Sequence, residues 1–437
     1  MMKRSLCTLM CLSSWVPFIL AQEMQVDMPD RPMAHVVGTA FGPQPPALWS
    51  ELHEPLPPYG NEPKRFWVSA EYLLWSMKQS PISVPMLTTT IVQNPDIFNN
   101  TGVLGQPDTL VLIGNQDVEY GVFSGIRFGF GWNLRCDGSL ALEGNFFLLE
   151  QRRDTLTYTS DANGVPVLSL PFINVAGRES RFIYTFPGDF AGGVQLGLDS
   201  QAWGLELNLA LNDTTQAGCC GLRLDLLGGL RYLGLQENLT YQGVSQTIGN
   251  RFGTSFNGVD IPDIGAIVGH QDRFDCSNNF YGGQFGVRAS YDVGRFTVQT
   301  AAKLALGVTD QIVRVDGYSF LQQTPTSPMI VAPGGVYTSP VTNMGRHTNN
   351  EFSLVPELSL QAKYQLTECV NIGAGYSFLY WTNVARPGDQ IDRVINTTPL
   401  PLSGNFGPFT GPARPAVPFN QSNVWLQGVN FSVEWRF

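Results

Sequence analysis

The chain lacks, after its first residues, any run of about 18 consecutive apolar residues, so it encodes no helical membrane span. Its one long apolar stretch, Leu6 to Leu20, follows Lys3 and Arg4 and is too short to cross a bilayer. It reads as a secretory signal cleaved after Ala21, giving a signal peptide over residues 1–21, although Ile19 fits the small-residue rule poorly. Thr8-Leu9-Met10 ahead of Cys11 is no lipobox, which argues against a lipid anchor. Charge is scarce, with 14% Asp, Glu, Lys and Arg, and the net charge of −10 argues against nucleic acid as a partner. Cysteine is scarce too. Five remain after the signal: Cys136, Cys219, Cys220, Cys276 and Cys369. An odd number at irregular spacing is neither a disulfide framework nor a zinc pattern, though an oxidising envelope would allow one or two bridges.

What is abundant is glycine, aromatics and alternation. The chain ends in FSVEWRF, where Val429, Phe431, Val433, Trp435 and Phe437 alternate with Asn430, Ser432, Glu434 and Arg436. A strict period of two makes one strand face apolar and the other wet. A terminal strand closing on an aromatic residue is how outer-membrane barrels present themselves to their assembly machinery. These five apolar residues are therefore the candidate C-terminal assembly signal.

Residues 22–65 are rich in proline and poor in periodicity, and read as a periplasmic tail or linker. From Phe66 to Phe437, ten segments alternate: Phe66 to Met77, Tyr120 to Arg135, Ser139 to Arg153, Val194 to Asn212, Cys219 to Asn238, Asn279 to Val293, Arg295 to Thr309, Asn350 to Gln365, Cys369 to Thr382 and Ser422 to Phe437. In the second, Ile126, Phe128, Phe130, Trp132 and Leu134 oppose Gly125, Arg127, Gly129, Gly131 and Asn133. The apolar faces carry no charge, as lipid contact demands. Four connections are short: Cys136-Asp137-Gly138, Asp213 to Gly218, Gly294, and Leu366-Thr367-Glu368. The other five run to roughly 40 residues and alternate with the short ones, as tight periplasmic turns and long outer loops require. The fold expected is an all-β, up-and-down antiparallel transmembrane β-barrel of ten strands. A further hairpin in Glu179 to Phe190 would make it twelve. A soluble β-sandwich would use shorter strands and would not need such loops.

Several stretches carry a resemblance: EYLLW (Glu71 to Trp75), Gly102 to Gly114, LDLLGGLRYLGLQENL (Leu224 to Leu239), FYGGQFGVR (Phe280 to Arg288), and Val355 to Asp392 with its Arg386-Pro387-Gly388-Asp389-Gln390 run. Together with the final WLQGVNFSVEWRF, the region from Trp67 to Phe437 resembles the planctomycetal outer-membrane β-barrel protein family. The resemblance implies a barrel in the bacterial outer membrane and brings no catalytic residues.

The residues themselves offer little catalysis. His270 stands in the third long loop near Asp272 and Asp275, a pair that could act as acid and base in an omptin-like surface hydrolase. No omptin motif accompanies it, so solvated loop polars are the expectation. Asp389 and Asp392 could contribute to a calcium site, which needs 6–8 oxygens, but read as turn residues. No catalytic residue, cofactor or metal is expected. The better clue is a network of lumen-facing charges: Glu71, Arg127, Glu143, Glu206, Arg223, Asp225, Arg231, Arg288, Lys303 and Glu357, with Arg135 on the same face class. Such pairs fill a narrow barrel, since wide aqueous channels appear at about 16 strands. Three roles follow. The first is a non-catalytic surface platform acting through long loops on an unidentified surface ligand, the second a narrow porin-like channel for small solutes, and the last a surface hydrolase. Outer-membrane lipid and the barrel assembly machinery are the other expected partners.

Overall fold

A computed structural model describes residues 65–90, 101–106, 108–212 and 221–437. Ten antiparallel strands form a closed ring. They are β1 (Phe66–Met77), β2 (Val122–Asn133), β3 (Leu140–Leu149), β4 (Phe190–Asn212), β5 (Leu222–Thr247), β6 (Ile267–Val293), β7 (Phe296–Gln322), β8 (Gly345–Gln365), β9 (Val370–Ala385) and β10 (Gln421–Arg436). Each pairs with its neighbours in sequence, and β1 closes on β10 from Trp67↔Arg436 to Met77↔Leu426. Short turns gather at one end. Gly294, which joins β6 to β7, has φ +60, and an open-sided position there suits glycine. Glu179–Thr185 does form a strand, but it pairs with Val167–Asn174 in a second sheet, so the wall has ten strands and not twelve.

An apolar belt girdles the short-turn half. Ile126, Phe128, Phe130 and Trp132 on β2, Leu205, Leu207, Leu209 and Leu211 on β4, Leu222, Leu224, Leu226 and Leu230 on β5, and Tyr281, Phe285 and Val287 on β6 are exposed. The terminal residues Val429, Phe431, Trp435 and Phe437 join this belt, with Val433 half-buried among them. Such a surface is stable only against hydrocarbon.

Much of the second, third and fourth expected loops proves to be strand. β5 runs on to Thr247, β6 begins at Ile267, and β7 reaches Gln322. The alternation persists there, but its phase reverses. On β6 the apolar residues pass from the outward Tyr281 and Phe285 to the inward Phe280, Cys276 and Phe274. On β7 they pass from the outward Val308 to the inward Val313 and Val315, leaving Arg314 and Asp316 outside. A window tuned to one phase reads this inversion as loop. In this upper half the wall is extended by Arg152–Thr159 along β4 and Ile330–Pro333 along β7. A second sheet packs with it, ordered Glu179–Thr185, Val167–Asn174, Leu87–Thr90 and Thr109–Ile113, with Val394–Ile395 added in parallel. Leu168, Leu170, Tyr184, Tyr241, Phe274 and Tyr337 form one core between them.

Candidate functional site

The lumen is built in three layers. At the short-turn end lies a cavity of about 830 Å³ lined by polar and charged residues. Register creates its ion pairs, because the ladders place opposite charges directly across from one another: Glu71↔Arg127, Glu206↔Arg231, Asp225↔Arg288 and Lys303↔Glu357. Other pairs bridge strands that are not neighbours. Arg288 on β6 binds Glu143 on β3 at 2.7 Å as well as Asp225 at 2.8 Å. Lys303 on β7 lies 2.8 Å from Glu206 on β4 and 3.1 Å from Glu357. Arg231 binds Glu357 and lies 3.9 Å from Glu206. Arg127 contacts Glu71 at 3.2 Å and rests over the Trp75 ring.

Arg223 lines the cavity at its mouth, where it pairs with Asp292 at 3.1 Å, both nearly half exposed. One sequence assignment needs correction. Arg135 is exposed in the β2–β3 turn, at the end of a strand, where the face no longer defines inside. Conversely, Lys363–Glu434, at 2.7 Å, joins the lumen charges and was missed, although both lie on the polar faces of β8 and β10.

Above the charges the lumen is apolar. Trp75, Phe147, Phe280, Trp381, Leu233, Leu379 and Leu426 pack across it. Trp381 Nε1 donates to Thr309 at 2.9 Å, which satisfies its only polar atom. Inward glycines make room for these rings: a Cβ at Gly282 would come within 2.5 Å of Phe280.

The third layer is a strap. β9 ends in a register shift after Trp381, with Asn383 at φ +57, and the chain then leaves the wall. Ala385 exchanges hydrogen bonds with Asn278 of β6, both at 2.8 Å. Arg386, fully buried, reaches Glu237 of β5 through Nε at 2.8 Å and Nη2 at 2.6 Å. Its Nη1 and Nη2 also donate to the carbonyls of Gln79 and Lys78. Burial works against the charge, but the Glu237 carboxylate prevails and holds the guanidinium pKa above its ordinary value. Sequence flagged the Arg386–Gln390 run only through resemblance, because a lone Arg after an aromatic strand carries no periodic signal.

His270 is not in a loop. It is fully buried on β6, with Nε2 2.6 Å from the Tyr184 hydroxyl and Nδ1 2.9 Å from Asp272. Asp272 accepts from the Val336 and Tyr337 amides and the Thr338 hydroxyl, and so pins that loop to the core. Burial raises the pKa of Tyr184, Tyr241 and Tyr337, and of the Cys276 thiol. Asp275 accepts from Asn238 and Arg273. Asp392 accepts from the Val394 and Ala416 amides and from Arg414, and Asp389 accepts from Ser83. Asp275 thus ties β5 to β6, and Asp389 and Asp392 are committed to loop structure. Among the described cysteines, Cys136 and Cys369 lie exposed at short turns and Cys276 is buried in the upper half. Cys219 and Cys220 lie outside the described residues.

A closed ten-strand ring with an outward apolar belt and a charged lumen is an outer-membrane β-barrel. The profile of the family described as "Putative beta barrel porin-7 (BBP7)" matches residues 67–437, and the chain belongs to that family. No curated protein matches it. Among solved structures it is similar to the outer membrane protease OmpT from Escherichia coli, at 10% identity over 86% of this chain and 97% of that one, with a TM-score of 0.35. It is also similar to the toluene transporter TodX of P. putida, at 9% identity over 86% and 91% of the chains, with a TM-score of 0.20. Scores this low carry no argument about the site.

Proposed function

We propose that this protein is a non-catalytic platform of the bacterial outer membrane, closed to solutes at rest, which meets a surface ligand through its long-loop end. One observation carries the reading: the apolar layer and the Arg386 strap fill the lumen above the charged cavity. The short turns then face the periplasm, the signal over residues 1–21 is removed on export, and residues 22–65 form a periplasmic tail. The planctomycetal resemblance gives the kind of bacterium expected. Outer-membrane lipid covers the belt, and the terminal Val429, Phe431, Val433, Trp435 and Phe437 engage the barrel assembly machinery. Burial of His270 speaks against a surface hydrolase that depends on it.

Planar-bilayer recording of the refolded chain tests the closed lumen. No steady single-channel current is expected, and large steady currents would replace this reading with a porin. The family description and the polar cavity favour that second reading, a narrow channel for small solutes. Deleting Phe437 should lower outer-membrane levels of the barrel. Undiminished levels would remove its part in assembly.

A further inference from the structure

On β6, β7 and β8 the apolar belt ends at one polar row. The ladders place Asn279, Asp310 and Asn350 directly across from one another. Asn278, Thr309 and Gln311 beside them are buried, so this row points outward. Four residues higher, the same ladders align Asp275, Arg314 and Arg346. Both arginines are exposed, and neither has an ion-pair partner among the described residues. Asp275 is turned to other groups, accepting from Arg273 at 3.1 Å and from Asn238. The exposed Asp316 faces Arg273 across the ladder. Elsewhere on the upper wall an outward arginine is matched: Arg153 binds Asp199 at 2.6 Å, and Arg273 binds Asp275. Like charges directly opposite on a ladder repel one another. Two guanidiniums held side by side also form a fork for one oxyanion, since each presents paired N–H groups to it.

Height decides which oxyanion. Four residues at about 3.4 Å each, on a strand tilted by about 35–45°, put the arginine row about 10 Å above the polar row. The polar zone of a phospholipid bilayer adds only about 5–7 Å to each side of the hydrocarbon. The pair therefore stands over phospholipid phosphates, at the level of the first sugars of a glycolipid. Ile312 and the exposed Thr348, opposite one another, occupy the row beneath it and offer a hydroxyl and an apolar contact to a sugar ring. We propose that Arg314 and Arg346 clamp a phosphate or carboxylate borne on the first sugars of an anionic glycolipid packed against β7 and β8. Only its assignment to the outer leaflet rests on the orientation proposed above. Binding in micelles does not depend on that orientation, which labelling of a Thr348→Cys thiol on intact cells tests separately.

The full chain is refolded in amine-oxide micelles and titrated with a fluorescent deep-rough lipopolysaccharide, whose phosphates and carboxylates lie on its first sugars. Anisotropy should show saturable binding. The double variant Arg314→Ala/Arg346→Ala should weaken it about tenfold or more, because charge-assisted hydrogen bonds are lost. Arg135→Ala, which removes the same charge at the opposite end, should leave it unchanged. Excess phosphatidylglycerol or inorganic phosphate should fail to displace the probe. Retained heat-modifiable gel mobility verifies that each variant is folded. Should the double variant not fold, Thr348→Cys gives an independent readout: bound lipopolysaccharide should slow its alkylation about tenfold, read by peptide mass spectrometry. Binding indifferent to the double variant, an unprotected Thr348→Cys thiol, or no saturation would each overturn the proposal. Displacement by phosphatidylglycerol would overturn it in favour of a phospholipid site, and displacement by phosphate in favour of a simple anion site.

Discussion

The two halves of β5, β6 and β7 use the same alternation for opposite purposes. In the belt half, Leu230, Phe285 and Val308 point outward, and Arg231, Gln284 and Lys303 point into the lumen. In the upper half, Leu239, Phe274 and Val313 point inward, and Arg273 and Arg314 point outward. The solvent explains the difference. A strand beside hydrocarbon must hide its polar groups, and a strand beside water must hide its apolar ones. One continuous strand therefore takes part in two inside-out cores joined near Phe280 and Leu233. The lower core is held by ion pairs around a polar cavity, the upper by packed rings and the buried Arg386–Glu237 pair.

The strongest way to break this comparison is Arg386→Ala. It leaves Glu237 buried without a partner, which costs about 3–5 kcal/mol. The loss should fall on the upper half, seen as protease cleavage above the belt at urea concentrations that leave the belt intact. Equal resistance to wild type would mean that the strap does not hold the upper core. Next comes a matched pair on one face of β7. Val308→Arg puts a charge on the belt and should destabilise the inserted barrel by up to about 2–4 kcal/mol, depending on depth. Arg314→Val, six residues on, should stay within about 0.5 kcal/mol. Similar penalties in a detergent-to-bilayer refolding assay would abolish the phase inversion.

Alkali should separate the halves more gently. Tyr184, Tyr241 and Tyr337 have folded pKa values raised above the unfolded value of about 10. The stability they contribute is intact below that pH. Above it the unfolded chain releases protons that the folded chain retains. Stability then falls by about 1.4 kcal/mol per pH unit for each group, until the folded value is passed. The upper half should lose its near-ultraviolet circular dichroism first, and a single concerted transition would contradict two separable cores. The smallest effect is expected at Arg223→Gln. Its partner Asp292 is also exposed, so the urea midpoint should shift by less than about 0.5 kcal/mol equivalent.

The belt half was legible because lipid imposes the rule locally: each outward residue must be apolar whatever its neighbours are. That rule locates strand segments, turns and inward charges such as Glu206 and Arg288. It overreaches at a strand end, where Arg135 meets solvent. The upper half was not legible by the same rule. Its apolar residues are hidden by a second sheet, and nothing local in GHQDRFDC says that a sheet arrives to bury His270 and Asp272. Hence the strand reads as a solvated loop.

The sequence by itself determined an up-and-down barrel of ten strands, the face of each strand that meets lipid, and the short-turn end. Those features follow from a period of two and from turn residues, which act within a few positions. Only the tertiary structure decided which charges meet across the lumen, that Arg386 crosses to Glu237, and that the lumen is closed above its cavity. These depend on register and on contacts between residues as far apart as Arg386 and Glu237. A side chain's type fixes what it needs, and the closed ring fixes what it finds.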